Sequence, residues 1–140
     1  MDWKQAYYVG IHEIDEQHKT LVEHISGIEQ AVATNAGWAD VNAAFARLSV
    51  DAQNHFILEE SLMGIYDFPG LHEHANEHWR FLADLRTLQE DPPTELAHRV
   101  NLLSERLDAH IQTWDKSYAL HILKRLALGG GTASTTATDS

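Results

Sequence analysis

Apolar residues recur at steps of three and four along four stretches of this chain, the spacing that lines them up on one face of an α-helix. The first stretch, Ile14 to Thr34, carries Ile14, Leu21, Ile25, Ile28 and Val32 on its stripe. The second, Ala39 to Tyr66, carries Phe45, Leu48, Ala52, Phe56, Leu62 and Met63. The third, Leu71 to Gln89, carries Leu71, Phe81, Leu85 and Leu88. The fourth, Glu95 to Leu128, carries Leu96, Val100, Leu103, Leu107, Ile111 and Tyr118. No stretch alternates with the period of a strand. Breakers separate the stretches: Asn35-Ala36-Gly37, Pro69-Gly70 and Asp91-Pro92-Pro93-Thr94, with Asp40 and Thr94 placed to cap the helices that follow. An arm, Trp3 to Ile11, precedes the first helix. Short connections favour antiparallel neighbours, so the pattern predicts an all-α fold: an up-down-up-down antiparallel four-helix bundle with an N-terminal arm. The bundle takes residues 1–128. Residues 129–140 are Gly, Ser, Thr and Ala with one Asp, and read as a disordered tail, either a frayed end or a linker.

Composition narrows this picture. A chain of 140 residues makes one domain with one core. Cysteine is absent, which excludes disulfides and thiolate metal sites. No apolar run approaches the roughly 20 residues that span a bilayer. The N-terminus lacks the basic start and apolar stretch of a signal peptide, so a cytoplasmic location is expected. The formal charge of -11 argues against nucleic acid and against anionic membrane surfaces. Ten histidines in an acidic chain without cysteine point to metals bound through nitrogen and oxygen.

The polar residues on the apolar stripes make that chemistry specific. His74 and His78 are one helical turn apart, on the face that carries Leu71, Phe81 and Leu85. His55 and Glu59 repeat the spacing on the second helix. His18 is in phase with Ile14, Leu21 and Ile25, and His110 with Leu103 and Leu107. Asp115, in a regular helix, flanks the His110 face at about 140° around the axis. A carboxylate or imidazole aimed into a core needs a partner, and a metal ion supplies one. Seven donors over-supply a single zinc, which needs about four. Shared between two metals, with both carboxylates and an oxide or hydroxide bridging, they fill all but one position of two octahedra. Nitrogen and oxygen ligation with an open position favours iron or manganese over copper or zinc. The other five histidines, His12, His24, His72, His98 and His121, lie off these faces or, for His121, too far along the axis. They read as surface or outer residues. A ferritin-like plan would need two Glu-x-x-His pairs, and a single such spacing, Glu95 to His98, is present.

Ile14-Asp15-Glu16-Gln17-His18-Lys19, His55-Phe56-Ile57-Leu58-Glu59-Glu60, His74 with His78, and His110-Ile111 followed by Asp115-Lys116 and Tyr118 together resemble the hemerythrin family, specifically its bacterial forms. The resemblance covers Trp3 to Ile122. It implies two iron ions (Fe2+/Fe3+) with an oxo or hydroxo bridge. His74, His78 and His110 would hold one ion, His18 and His55 the other, and Glu59 and Asp115 would bridge. Leu107 and Ile111 would line the ligand pocket. The implied function is reversible dioxygen binding, for transport, storage or scavenging, with small anions binding the oxidised form and no catalytic residue. Other readings are an oxygen or redox sensor input, or a di-iron enzyme acting on peroxide, nitric oxide or ferrous iron. No redox or delivery partner is identified. Arg106 stands where the family often has Trp, and Trp114 lies beside Asp115. Facing inward, Arg106 would admit water or hold an anion and speed autoxidation; snorkelling outward, it would do neither.

Overall fold

The computed structural model describes residues 1–90 and 94–132. A short 3-10 turn, Gln5–Tyr7, lies within the arm. Three helices follow: α1, His12–Ala33; α2, Trp38–Ile65; and α3, Leu71–Glu90. The fourth rod is continuous but not uniform. It consists of α4, Leu96–Ala109, a π-helical turn, His110–Asp115, and α5, Lys116–Thr132. α1 packs on α2 and α4, and α2 packs on α3, forming a four-helix bundle. No strand occurs among the described residues, and none of their helices is long and apolar enough to cross a membrane.

The ends of the helices follow from local chemistry. α1 stops where expected, because Asn35 takes a left-handed conformation with φ 57°. The Ala36 amide then reaches back to the Ala31 carbonyl at 2.9 Å, satisfying a group that the helix end leaves open. Asp67, with φ 52°, plays the same part after α2, and the Phe68 amide bonds the Met63 carbonyl at 2.8 Å.

Two caps differ from expectation. Gly37, not Asp40, precedes α2. Asp40 lies in the first turn, where its charge meets the positive end of the helix dipole. Of the expected breaker, residues 91–93 lie outside the described residues. Glu95 rather than Thr94 stands at the head of α4, at φ 55°, with no side-chain cap.

α5 continues past Leu128 to Thr132, so the first residues of the expected tail are helical. Extending an existing helix adds a bond per residue without a new nucleus, which offsets the poor propensity of glycine. Residues 133–140 lie outside the described residues.

The core is cut in two by a polar layer. On one side Leu21, Ile25, Ile28, Phe45, Leu48, Phe81, Leu85, Val100, Leu103 and Leu107 form the large apolar cluster. On the other, Ile14 packs with Ala119, and Met63 with Tyr118 and Ile122. Each fully buried Leu, Ile or Phe contributes about 1.5–3 kcal/mol relative to exposure. That burial holds the polar layer between these clusters away from the surface.

Candidate metal centre

Every buried polar side chain among the described residues belongs to the seven sequence candidates or is Asp15. His18, His55, Glu59, His74, His78, His110 and Asp115 are all at most 8% exposed. One comes from α1, two from α2, two from α3, and two from the π-helical turn of the fourth rod. Helical phase delivers the first five. The last two depend on the π turn. In a regular α-helix Asp115 would stand off the His110 face, as the sequence reading has it. Here the i→i+5 turn brings residues five apart nearly into line, and His110 Nε2 lies 3.0 Å from Asp115 Oδ1.

The carboxylates divide their oxygens between two groups of imidazoles. Glu59 Oε2 lies 3.0 Å from His55 Nε2 and 3.3 Å from His18 Nε2. Its Oε1 lies 3.0 Å from His78 Nε2 and 3.8 Å from His74 Nε2. Asp115 Oδ2 lies 2.9 Å from His18 Nε2, while Oδ1 lies 2.9 Å from His74 Nε2. Two overlapping donor sets result: Glu59, His74, His78, His110 and Asp115, and His18, His55, Glu59 and Asp115.

The donor set fits a metal on an independent ground. The Nε2 atoms of all five histidines, Glu59 Oε1 and both Asp115 oxygens are buried without a hydrogen-bond partner. Orphaned buried polar atoms cost about 1–3 kcal/mol each, and such a convergence demands a common partner. The ionisation preferences agree. Burial alone would raise the Glu59 carboxyl, but the imidazoles of His55, His18 and His78 hold it well below the usual range. Burial and the Glu59 charge would raise Asp115, yet His110 and His18 hold it low. Burial would lower His18, but Asp115 and then Glu59 push it up to about 10. Both carboxylates are thus held as anions by the imidazoles around them.

Outer contacts orient the ring set. His78 Nδ1 donates to Glu60 Oε2 at 2.9 Å, and His55 Nδ1 donates to Gln17 Oε1 at 2.5 Å. Phe56 stacks on His78, centroids 3.9 Å apart and planes 6° from parallel. Tyr118 donates its hydroxyl to Glu59 Oε2 at 2.7 Å. Burial, then the charges of Glu59 and Asp115, raise the Tyr118 phenol, so it stays a neutral donor. Asp15 accepts from the Val9 and Gly10 amides at 2.7 and 3.2 Å and fastens the arm to α1.

Gln17, Glu60 and the Asp15 clasp escape the periodicity argument. Gln17 and Glu60 each neighbour a donor in sequence but sit on the flank of their helix, where phase does not distinguish them from solvated residues. Adjacency to His18 and Glu59 is the signal they leave.

Leu107 and Ile111 are sealed at 1% and 0% exposure in the cluster that contains Phe56. Arg106 turns outward, with Nη1 2.5 Å from Asp84 Oδ2 and Nη2 3.4 Å from Glu77 Oε2. The inward alternative for Arg106 therefore falls away. Trp114 is half-buried and meets the His74 ring edge-on at 5.8 Å. His24 bonds Asp51 at 2.6 Å and His121 bonds the Tyr66 carbonyl at 2.7 Å, while His12, His72 and His98 are exposed, so none of these five joins the cluster.

A helical bundle whose interior converges on imidazole and carboxylate donors defines a class, that of metal-binding bundle proteins. Residues 9–121 match the model of the hemerythrin HHE cation binding domain. The chain belongs to the hemerythrin family. It is 26% identical over 129 residues to a bacteriohemerythrin of Ralstonia nicotianae, covering 89% of this chain and 90% of the relative. It is 30% identical over 86 residues to a myohemerythrin of Riftia pachyptila, covering 61% of this chain and 66% of that one.

Proposed function

We propose that this protein binds dioxygen reversibly at a pair of non-haem iron ions, as an oxygen carrier, store or scavenger. His74, His78 and His110 would hold one ion and His18 and His55 the other, with Glu59 and Asp115 spanning both and an oxo or hydroxo group between them. The observation that carries this reading is the division of oxygens: Glu59 and Asp115 each turn one oxygen to each group of imidazoles. When bound, the iron pair supplies the two electrons that reversible oxygen uptake requires.

The chain's own residues supply the rest. With two ions bound, the imidazole-rich set would leave one position for a small ligand on the side of His18 and His55. Leu107, Ile111 and Phe56, buried together in the large apolar cluster, would keep the ligand's surroundings apolar, which would exclude water and protect a bound ligand from protonation. Tyr118 fixes the orientation of Glu59 by donating to Oε2. A binding role is favoured over an enzymatic one by the use of the buried acids. Glu59 and Asp115 face imidazoles, and Asp15 is held by backbone amides, so none is free to act as a general acid or base.

The test is to load the protein with iron, reduce it anaerobically, admit oxygen and then remove it. A visible charge-transfer band that appears with oxygen and fades on its removal is the expected result. Rapid irreversible oxidation would overturn the reading. Metal analysis should find about two irons per chain, and His74→Ala should lose at least one.

A further inference from the structure

Of the outer contacts made by the metal-facing histidines, two pair an imidazole Nδ1 with a side-chain acceptor, and the two acceptors differ in charge. His78, in the group with His74 and His110, donates to the carboxylate of Glu60. His55, in the group with His18, donates to the neutral amide oxygen of Gln17. The Nδ1 atoms of His18 and His74 are buried without a hydrogen-bond partner. His78 and His55 are thus the rings backed by a side-chain acceptor, one in each group, and the backing differs by a full negative charge.

We infer that Glu60 is a positioning residue that makes the two metal positions unequal, so that the His74, His78 and His110 position fills first and empties last. The inference rests on the two-metal reading above. A carboxylate behind a ligand imidazole fixes the tautomer and raises the basicity of the far nitrogen. An amide fixes the tautomer with little effect on basicity. Glu60 has one orienting task already covered, because Phe56 stacks flat on the His78 ring. Its charge is what Phe56 cannot supply. Loss of such outer partners typically weakens metal affinity 10- to 100-fold. The Glu60 side chain is 38% exposed, and solvent screening places the effect near the lower end, about 10-fold.

The third histidine at the first position biases the order in the same direction, so the test must isolate the acceptors. Stepwise anaerobic titration of the metal-free protein with cobalt(II), read by its visible d–d absorption, yields two binding constants. Glu60→Gln keeps the size and the acceptor but removes the charge. It should weaken the first constant by about 10-fold and leave the second nearly unchanged. Gln17→Glu should strengthen the second constant by about as much, and the double exchange should narrow the gap from both ends. Glu60→Asp should restore part of the wild-type first constant. Denaturant unfolding of each metal-free variant provides the control for a purely structural role, which would move stability and leave the ratio of constants alone. A first constant unchanged in Glu60→Gln overturns the inference. Failure of the two-metal reading looks different: the wild-type protein would then bind fewer than two ions, or His74→Ala would retain both.

Discussion

The Tyr7 ring is buried to 1% exposure, and its hydroxyl donates to Asp108 Oδ1 at 2.6 Å. One phenol thus ties the arm to α4, two residues ahead of His110. Gln112 also donates to Asp108, at 2.9 Å, so removing the phenol does not orphan the carboxylate. Tyr7→Phe should therefore cost about 1 kcal/mol at neutral pH, measured by urea unfolding. Burial, then the Asp108 hydrogen bond and charge, with Asp2 adding to them, raise the Tyr7 phenol above its ordinary value of 10.0. A raised folded-state value means the folded protein holds that proton more tightly than the unfolded chain. The resulting stability is complete below pH 10 and is lost as pH rises beyond it, at up to about 1.4 kcal/mol per pH unit for one group. Tyr7→Phe should flatten the alkaline loss; an unchanged slope between neutral pH and pH 11 would refute this. At this scale the buried histidines and Glu59 of the cluster were legible, because a histidine or carboxylate on an apolar stripe stands out, whereas Asp115 stood off its stripe. Glu60 and Gln17 were not legible, since a flanking polar residue looks the same whether it backs a ligand or faces water.

Among the elements, helix ends and one irregular turn decide the geometry. Asn35 shows the part that local chemistry settles. It is exposed, and its left-handed φ of 57° is a conformation that Asn tolerates and β-branched residues do not. Asn35→Val should cost about 1–2 kcal/mol in unfolding free energy, whereas Asn35→Gly should be neutral or stabilising by a few tenths. Equal stabilities for the two variants would show that the turn is not strained as described. The π turn at His110–Asp115 is the opposite case. Nothing in the apolar spacing announces it, because Ile111 and Tyr118 fit a regular helix about as well. It arises where Asp115 must face His18 and His74 at 2.9 Å across the bundle, a demand set by other helices.

For the whole molecule, the polar layer between the apolar clusters is a liability that a bound metal would turn into a fastening. Four helices converge on it, so a ligand for that layer binds the folded state and has no comparable site in the unfolded chain. Occupancy at 100 times the dissociation constant contributes about 2.7 kcal/mol per ion. Stripping metal with a chelator should lower the melting midpoint by on the order of 10 °C, and restoring iron should recover it. Identical midpoints with and without metal would exclude a role in holding the bundle. The amino-acid sequence by itself determined the helices, the breakers after α1 and α2, and the inward aim of every clustered residue but Asp115. Helical phase is local, and a dry interior tolerates few polar residues without a reason. Tertiary structure alone decided which donors meet: the shared oxygens of Glu59 and Asp115, the π turn, the outward path of Arg106, and the unequal partners of His55 and His78. Those depend on distances between residues far apart in the chain, which the period of a single helix does not encode.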